Sequence, residues 1–490
     1  MSTPIVQNYI GGQWREPFSK QYTDVVNPAS GQLLARVPAG GPEDAGAAVE
    51  AAASAFPAWR AVPPAERVQY LFRLKSLLEE RFEEIARIIT IENGKTLAEA
   101  RGELRRGVEN VEVACGIPTL MQGYNLEDVA SGIDEILFRQ PLGVVAAITP
   151  FNFPAMIPLW FLPYAVATGN AFILKPSERA PLTMRRIAEL IHETGLPPGV
   201  FNLVNGGRAA AGALLDHPGV QAISFVGSTE AARSVYARAA AAGKRVQCQG
   251  GAKNHVVVMP DADPETTTRI IADSAYGCAG QRCLAVSVAV TVGGASRWFH
   301  EAISEAASAL RIGDGLREET QMGPVISAAS KERIEALIAR GVSQGARITA
   351  GGLRPDLSRE PGYFVRPTVL DGVPPSSDLA ETEIFGPVLS LIHAADVDEA
   401  MAIIARNSYG NASSIFTSSG AAARKFRNLI PTGNVGVNIG VAAPMAYFPF
   451  SGWKGSFFGA LHAQGKDAVE FYTDKKVVIE RWPKEWSRKF

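Results

Sequence analysis

Two thiols and an arginine are the residues of this sequence with the clearest capacity for covalent chemistry. They lie in the stretch GCAGQRCLAV, residues 277–286, where Cys278 is followed by Arg282 and Cys283 in a loop of otherwise small residues. A thiol is the best side-chain nucleophile near neutral pH, and its addition to an aldehyde creates an oxyanion that needs hydrogen-bond donors. The residues alone favour Cys283 over Cys278 only slightly, and Cys115 and Cys248 are expected to be packing cysteines.

Polar segments at the ends of predicted strands could hold a cofactor. They are TPFNFP (149–154), KPSE (175–178) and FVGSTE (225–230). Open α/β sheets bind ligands at this carboxyl edge, so Lys175 and Glu178 could hold ribose hydroxyls and Ser228 a phosphate. Alternatively, the proline and serine of KPSE only begin a helix, and Ser228 only caps one. The usual G-x-G-x-x-G fingerprint is missing, and NGGRAAAG (205–212) is at best a loose imitation of it.

The composition is typical of a soluble enzyme built from two or three compact units. The chain has 490 residues, with 48 basic and 49 acidic side chains, so no basic excess suggests nucleic acid as a partner. We find no signal-peptide pattern and no uninterrupted 18-residue apolar run, and therefore expect a cytoplasmic protein without a membrane span. The four cysteines form no C-x-x-C pair, which predicts neither a disulfide framework nor a metal site.

Apolar periodicity predicts an α/β architecture that would position these residues. Steps of three and four between Pro64 and Ile89 predict one long amphipathic helix. Short apolar runs separated by helix-like stretches predict parallel sheets covered on both faces. The first series is GVVAAITP (143–150), NAFILKPS (170–177), GVFNLVNG (199–206) and AISFVGST (222–229), and the second is HVVVMP (255–260) and AVSVAVTV (285–292). The Gly-rich segment 250–254 is the expected junction.

The C-terminal stretch AVEFYTDKKVVIERW, residues 468–482, alternates as a strand does. A terminal strand needs a partner for its hydrogen-bond ladder. We expect a neighbouring subunit to supply that partner.

Taken together, the segments in this order and spacing resemble the aldehyde dehydrogenase superfamily over essentially the whole chain. The resemblance is carried by NYIGGQW (8–14), TPFNFP, KPSE, FVGST, GQRC (280–283), EIFGPV (383–388) and VEFYTDKKVV (469–478). It implies an α/β fold with two parallel-sheet domains and a small β oligomerisation element, assembled as a dimer or tetramer. The implied units are an NAD-binding domain (1–123 and 143–250), a catalytic domain (251–445) and the oligomerisation element (124–142 and 465–490).

The resemblance also implies a role for individual residues. Cys283 matches the nucleophile, and Asn152 matches the side-chain half of an oxyanion hole completed by the Cys283 backbone N–H. The positions that match NAD contacts are Thr149, Phe151, Lys175, Glu178, Arg179, Ser228, Gly250, Glu383 and Phe385. The family binds NAD without the usual glycine fingerprint, and a carboxylate at Glu178 would repel the 2′-phosphate of NADP.

Two departures from the family's usual pattern point to a subclass. Most members have a Glu-Leu-Gly-Gly-Lys segment whose glutamate is the base for thioester hydrolysis, whereas alignment on Lys253 places Gln249 there, and an amide cannot accept a proton. The second departure is Arg282 before the nucleophile. With GAKNH (251–255) and GVAAPMAYFPFSGWKGSFFG (440–459), both resemble the CoA-acylating methylmalonate-semialdehyde dehydrogenases. A second arginine matters in that branch, and Arg106 matches it.

The subclass implies a semialdehyde acid as substrate and coenzyme A as co-substrate. Arg282 and Arg106 would bind the carboxylate, each with a charge-assisted hydrogen bond contributing about 1.5–3 kcal/mol. Alternatively, Arg282 lowers the thiol pKa or pairs with a structural acid, and Arg106 forms a surface ion pair with Glu103, Glu109 or Glu112. The predicted reaction converts methylmalonate or malonate semialdehyde to propionyl-CoA or acetyl-CoA with loss of carbon dioxide. A hydrolytic aldehyde dehydrogenase releasing a free acid is the nearer rival, and a non-catalytic relative the more distant one.

Overall fold

The computed structural model describes residues 3–353 and 361–482. The helices are α1 (Pro42–Ala61), α2 (Pro64–Glu80), α3 (Phe82–Asn93), α4 (Leu97–Cys115), α5 (Ile117–Leu120), α6 (Met156–Ala167), α7 (Leu182–Glu193), α8 (Arg208–Asp216), α9 (Thr229–Ala241), α10 (Pro264–Tyr276), α11 (Ala295–Ala309), α12 (Ala328–Ser343), α13 (Asp378–Glu381), α14 (Val397–Arg406), α15 (Gly420–Leu429) and α16 (Gly465–Phe471). A 3₁₀ turn covers Gly277–Gly280.

The strands are β1 (Asn8–Ile10), β2 (Gln13–Arg15), β3 (Tyr22–Val26), β4 (Leu33–Pro38), β5 (Asn125–Ala130), β6 (Ile133–Pro141), β7 (Val144–Ile148), β8 (Ala171–Lys175), β9 (Phe201–Leu203), β10 (Val220–Val226), β11 (Arg245–Gln249), β12 (Asn254–Val258), β13 (Val286–Val292), β14 (Arg347–Ala350), β15 (Thr368–Asp371), β16 (Val388–Ala394), β17 (Tyr409–Gly410), β18 (Ala412–Phe416), β19 (Asn434–Val437), β20 (Trp453–Lys454), β21 (Phe457–Phe458) and β22 (Thr473–Arg481). Two small pairs, β3 with β4 and β17 with β20, lie outside the larger sheets.

The larger sheet has eight strands in the order β2-β1-β9-β8-β7-β10-β11-β21. Its strands from β9 to β11 run parallel, and β7 and β8 are buried along their whole length. The first apolar series therefore forms β7 to β10, as the sequence predicts. Since parallel strands end at one edge, the segments 149–154, 175–178 and 227–230 come together there.

The second sheet has the order β14-β15-β16-β13-β12-β18-β19, and only its edge strand β14 is antiparallel. The second apolar series forms β12 and β13. Residues 250–253 connect β11 of the first sheet to β12 of the second, so the Gly-rich segment lies between the two sheets. These sheets and the helices on their faces confirm the α/β fold class, while the domain boundaries remain predictions.

A third, small sheet joins β22, β6 and β5. Strand β22 pairs antiparallel with β6 over nine residues, from Thr473 opposite Pro141 to Arg481 opposite Ile133. The expectation that another subunit supplies the partner of this strand is therefore wrong, because β6 of the same chain does so. Large apolar side chains are exposed on this sheet, namely Leu126, Val129, Phe138, Val477 and Ile479. Its role in assembly stays a prediction, and residues 483–490 of the predicted element lie outside the described residues.

The long helix predicted from Pro64 to Ile89 is wrong in one respect, because it is two helices. Arg81, with φ −100° and ψ 18°, separates α2 from α3. Hydrogen bonding continues through the bend, since the Arg81 N–H donates to Leu77 O and the Ile85 N–H donates to Arg81 O, both at 3.0 Å. A single non-helical residue separates the two helices without changing the buried face. The apolar periodicity therefore persists across the break.

Helices α4 and α6 pack against each other and carry the residues that border the thiol loop. α6 is buried on nearly every side, as its uniformly apolar sequence predicts for a short core helix. Gly107 of α4 lets the two helices approach, because a Cβ there would lie 2.8 Å from Leu159 Cδ1. Within residues 3–353 and 361–482, we find no helix with the length and apolarity needed to cross a membrane.

Candidate active site

Neighbouring strands fix the backbone of Cys283. Asn254, at the start of β12, and Asn411, just before β18, each donate Nδ2–H to the Cys283 carbonyl at 2.8 Å. Asn254 also donates to the Ala285 carbonyl at 2.9 Å. These bonds attach the thiol-bearing residue to the second sheet.

The turn before Cys283 is strained and held from outside. Cys278 and Ala279 both have φ of +51°, a left-handed conformation that is uncommon for residues with a Cβ. Glu99 of α4 accepts the Cys278 N–H at 2.6 Å through Oε1. Its Oε2 accepts the Thr96 N–H at 2.9 Å, which completes a capping box at the start of α4. The loop and α4 are therefore fixed to each other.

Cys283 lies between two cavities. The first, of about 240 Å³, has a mostly apolar wall with two arginines, and its lining includes Glu99, Arg106, Phe153, Met156, Trp160, Cys278, Arg282, Leu284 and Phe450. The second, of about 500 Å³, is lined by residues that include Phe151, Asn152, Ser228, Gly250, Arg333, Glu383, Phe385 and Tyr409. Among the described residues lining the two cavities, Cys283 is the only one they share. Ligands in the two cavities would meet at its sulfur.

The thiols differ in where they lie. Burial, reinforced by the negative charge of Glu383, raises the pKa of the half-buried Cys283 thiol to about 12. Burial and the charge of Glu99 raise the pKa of Cys278 to about 11, and this thiol lines the first cavity alone. Cys115 and Cys248 are buried and line neither cavity. Its position between the cavities therefore favours Cys283 as the nucleophile. Its thiol must lose a proton before the sulfur can attack.

Asn152 stands on the wall of the second cavity and is buried. One of its Nδ2–H groups donates to the Gln281 carbonyl at 3.0 Å, two residues before Cys283. An amide nitrogen has two donors, so the other is available for an oxyanion beside the sulfur. The structure thus brings the two residues of the predicted oxyanion site together.

A buried ion pair that the sequence analysis missed supports the Asn152 loop. Lys95 Nζ donates to Glu103 Oε2 at 2.5 Å and to the Asn152 carbonyl at 2.6 Å, and both charged side chains are fully buried. Glu103 Oε1 accepts the N–H groups of Ala155 and Met156 at 2.9 and 3.2 Å. The sequence contains one indication of this ion pair, because Glu103 interrupts the apolar face of α4. A charge in such a stripe usually has a buried partner.

Arg282 lines the first cavity while its guanidinium is held by main-chain carbonyls. Nε donates to Gly277 O and Nη2 to Asp273 O, both at 3.0 Å, and Nη2 lies 3.9 Å from Glu99 Oε1. Arg282 can therefore pair with an acid, here Glu99, and at the same time line the first cavity. The guanidinium has five donors, so those bonds leave others for a ligand.

Arg106 reaches the same cavity from α4. It pairs with Glu109 Oε2 at 3.1 Å and donates to the Pro444 carbonyl. Glu109 is thus the partner among the three acids suggested by the sequence. Glu103 instead pairs with Lys95, and Glu112 lies 3.5 Å from Lys75. Arg106 therefore forms an ion pair with Glu109 and also lines the first cavity.

Five of the predicted cofactor contacts line the second cavity: Phe151, Ser228, Gly250, Glu383 and Phe385. Ser228 also caps α9, with its hydroxyl 3.4 Å from the Ala231 N–H. Phe385 has φ of +51°, and its ring meets that of Phe151 edge-on at 6.0 Å. Strain of this kind at a cavity wall is a feature of ligand-binding positions.

The other four predicted contacts do not line that cavity: Thr149, Lys175, Glu178 and Arg179. Lys175 Nζ donates to Gly206 O at 2.7 Å and to Glu178 Oε2 at 3.4 Å at the end of β8. Arg179 instead donates to the Ser327 hydroxyl at 2.9 Å. The Thr149 hydroxyl is buried without a hydrogen-bond partner among the described residues, which is the state expected of a group that completes its bonding with a ligand.

Gln249 does not face the sulfur. Its amide satisfies both ends with Nε2 toward Phe225 O at 2.9 Å and Oε1 toward the Ala463 N–H at 3.3 Å. The side chain is buried and lines neither cavity. In this arrangement the amide is not placed to orient a water molecule toward Cys283.

Comparisons with known proteins show the family to which the chain belongs. The family model described as "Aldehyde dehydrogenase family" matches residues 14–478. Malonate-semialdehyde dehydrogenase 3 of Geobacillus kaustophilus (strain HTA426) is 49% identical over 480 residues, 98% of this chain and 99% of that protein. The solved methylmalonate-semialdehyde dehydrogenase (DddC) of Oceanimonas doudoroffii has a TM-score of 0.96 at 44% identity, covering 99% of both chains. A candidate methylmalonate-semialdehyde dehydrogenase of Sinorhizobium meliloti 1021, complexed with NAD, has the same TM-score and coverage at 42% identity.

Proposed function

This chain belongs to the aldehyde dehydrogenase family, and on that premise we propose that it oxidises malonate or methylmalonate semialdehyde with NAD and transfers the acyl group to coenzyme A. The named relatives support the semialdehyde substrate class, and the NAD-complexed neighbour supports the cofactor. The observation that carries the proposal is the position of Cys283 between an arginine-bearing cavity and a larger polar one. The substrate would enter the first and the cofactor the second.

The residues that would hold NAD fit that cofactor in type and place. Ser228 and the N-terminus of the 13-residue helix α9 suit a phosphate, and Glu383 suits ribose hydroxyls. Lys175 and Glu178 would hold the second ribose at the end of β8, next to the unpartnered hydroxyl of Thr149. When bound, NAD supplies the hydride acceptor for the oxidation.

In the proposed mechanism, the Cys283 thiol loses its proton to solvent, and its Sγ then forms a bond to the aldehyde carbon. The oxygen becomes an oxyanion, to which Asn152 Nδ2–H and the Cys283 backbone N–H donate. Arg282 and Arg106 bind the carboxylate at the other end, which fixes the short acid between sulfur and guanidinium groups. Loss of hydride leaves a thioester on Cys283. The carboxylate is then β to a thioester carbonyl, which accepts the electron pair released when carbon dioxide leaves, and the α-carbon gains a proton.

The position of Gln249 supports transfer to CoA over hydrolysis. Hydrolysis needs a base to take a proton from water, and an amide directed at Phe225 and Ala463 is not one. A thiol acceptor with a pKa near 8.5 is already partly ionised at pH 7–8. We therefore propose that the acyl-enzyme waits for CoA.

Without CoA, the enzyme is expected to release about one equivalent of NADH per active site in a burst and then to turn over slowly. The acyl adduct on Cys283 should be visible by intact mass spectrometry and should disappear when CoA is added. Gln249→Glu should speed release without CoA only if its carboxylate can turn toward the sulfur. Equal steady-state rates with and without CoA, with free acid as product, would establish the hydrolytic reaction instead.

Arg282→Ala and Arg106→Ala are each expected to lower kcat/KM for methylmalonate semialdehyde by roughly tenfold to a hundredfold, while propanal is affected far less. Only the first substrate has a carboxylate that would lose its partner. Arg105→Ala is the matched control, because this neighbouring arginine pairs with Glu79 at an exposed position. Equal losses on both aldehydes would assign the arginines to thiol activation or to folding.

A further inference from the structure

We propose that Glu383 accepts the proton of the CoA thiol when CoA discharges the acyl-enzyme. This inference rests on the proposed function and adds to it a base for the second half-reaction. Because a thiol is far more acidic than water, a carboxylate at this position assists attack by CoA much more than it assists hydrolysis. Cys283, the residue that bears the acyl group, and Glu383 line the same cavity of about 500 Å³. The carboxylate charge also contributes to the raised pKa of the Cys283 thiol, so the two groups interact electrostatically.

The carboxylate of Glu383 is held in place by the segment that links the two sheets. Oε1 accepts the Ala252 N–H at 2.9 Å. Oε2 lies over the backbone of Gly251, where a Cβ would approach it to 2.3 Å. A side chain at Gly251 would displace the carboxylate. One oxygen is thus fixed by a hydrogen bond, and the other remains available to a ligand in the cavity.

Other carboxylates near the thiol are less suitable. Glu230, which also lines the second cavity, is exposed in the first turn of α9. Glu99 and Glu103 line the first cavity, but their oxygens already accept backbone N–H groups, and Glu103 is paired with Lys95. Gln249 has no carboxylate. Among the described residues lining the two cavities, Glu383 is the remaining candidate.

The surroundings of Glu383 adjust its basicity. Burial raises the pKa of the carboxyl to about 7, while the hydrogen bond from the Ala252 N–H and the positive charges of Arg333 and Lys253 act in the opposite direction. Burial also lowers the pKa of Lys253 to about 7, so the two side chains titrate in the same pH range. Lys253 is buried and its Nζ has no hydrogen-bond partner among the described residues. The other titratable groups facing Glu383 are Cys283 and Tyr409. The CoA thiol has a pKa of about 8.5. Its pKa therefore exceeds that of the Glu383 carboxyl by about 1.5, whereas it would exceed that of an ordinary carboxyl by about 4.

The step conserves atoms and charge. The S–H proton of CoA moves to Glu383, and the thiolate forms a bond to the thioester carbon. The tetrahedral oxyanion then collapses, the bond to Cys283 Sγ breaks, and acyl-CoA leaves. The released Cys283 thiolate takes the proton from Glu383. No oxidant or reductant is needed.

The test separates this step from cofactor binding, since Glu383 is also a proposed ribose contact. The acyl-enzyme is formed with semialdehyde and NAD in the absence of CoA, or with the p-nitrophenyl ester of propionate, and small molecules are removed. CoA is then added between pH 6 and 9, and loss of the adduct is followed by mass. For the unmodified enzyme the rate should rise through about pH 7, as the Glu383 carboxyl loses its proton.

For Glu383→Gln, discharge at pH 7 should be at least about tenfold slower and should rise only near the CoA thiol pKa of about 8.5. An aryl thiol that is already ionised at pH 7 should discharge this variant at nearly the normal rate, because it needs no base. Glu230→Gln is the matched control and should leave the profile unchanged. An unaltered pH profile in Glu383→Gln overturns the inference. Slow discharge by CoA and the aryl thiol alike would show a structural role and overturn it too. Failure of CoA to discharge the unmodified acyl-enzyme would instead refute the proposed function.

Discussion

Cys283→Ala is expected to lower NADH formation by at least about 10⁴-fold, because removal of a covalent nucleophile leaves only what binding and the oxyanion donors can contribute. Binding of NAD should remain nearly intact, since the proposed cofactor contacts belong to other segments. Absorbance at the NADH band measures the first quantity, and calorimetric titration with NAD measures the second. A variant that lost both would be misfolded and would say nothing about the nucleophile.

Cys278→Ala is the matched control for this experiment. Cys278 lies on the turn just before Cys283 and lines the first cavity, but it does not line the second. Its removal should reduce turnover only mildly, with no loss of the acyl adduct. If Cys278→Ala were inactive and Cys283→Ala still turned over, the nucleophile would have to be reassigned.

Lys95→Met is expected to lower the free energy of unfolding by about 3–5 kcal/mol, because it leaves the buried carboxylate of Glu103 without its cation. Activity should also fall at temperatures where the variant is folded, since the Asn152 carbonyl loses a hydrogen bond of 2.6 Å. Denaturant unfolding followed by circular dichroism gives the stability, and NADH formation gives the activity.

Two further variants make the Lys95 result interpretable. Arg101→Met removes an exposed ion pair between Arg101 of α4 and Glu83 of α3 and should leave the unfolding midpoint unchanged. In the double variant Lys95→Met, Glu103→Gln, the loss should be smaller than the sum of the single losses, because neither charge is then left alone. Additive losses would mean that the pair does not act as a unit.

Much of the fold could be predicted because its signals are local. Strands β7 and β8 are buried on both faces, so their apolar runs needed no information from distant residues. The loop segments that border the second cavity could be predicted from these strands, because the carboxyl ends of parallel strands meet at a common edge. Cys283 could be singled out by its residue type and neighbours, although the choice over Cys278 depended on resemblance.

What could not be predicted depends on contacts between distant segments. Glu103 looked like a partner for Arg106 one turn away, whereas its partner, Lys95, precedes the helix and bonds the carbonyl of Asn152. The direction of Gln249 depends on Ala463, more than 200 residues later. The bend at Arg81 leaves no trace in the periodicity because the buried face continues through it.

The pairing of β21 and β22 has a consequence for how the chain is made. β21 forms the edge of the first sheet beside β11, and β22 completes the ladder of β6. Both strands come after the whole second sheet in the chain. During synthesis, β11 therefore has an open hydrogen-bonding edge while about two hundred residues emerge, and β6 has one while more than three hundred emerge, at a ribosomal rate of about 5–20 residues per second. Open strand edges invite pairing with other chains, so the nascent protein is most prone to aggregate in the interval before its last strands arrive.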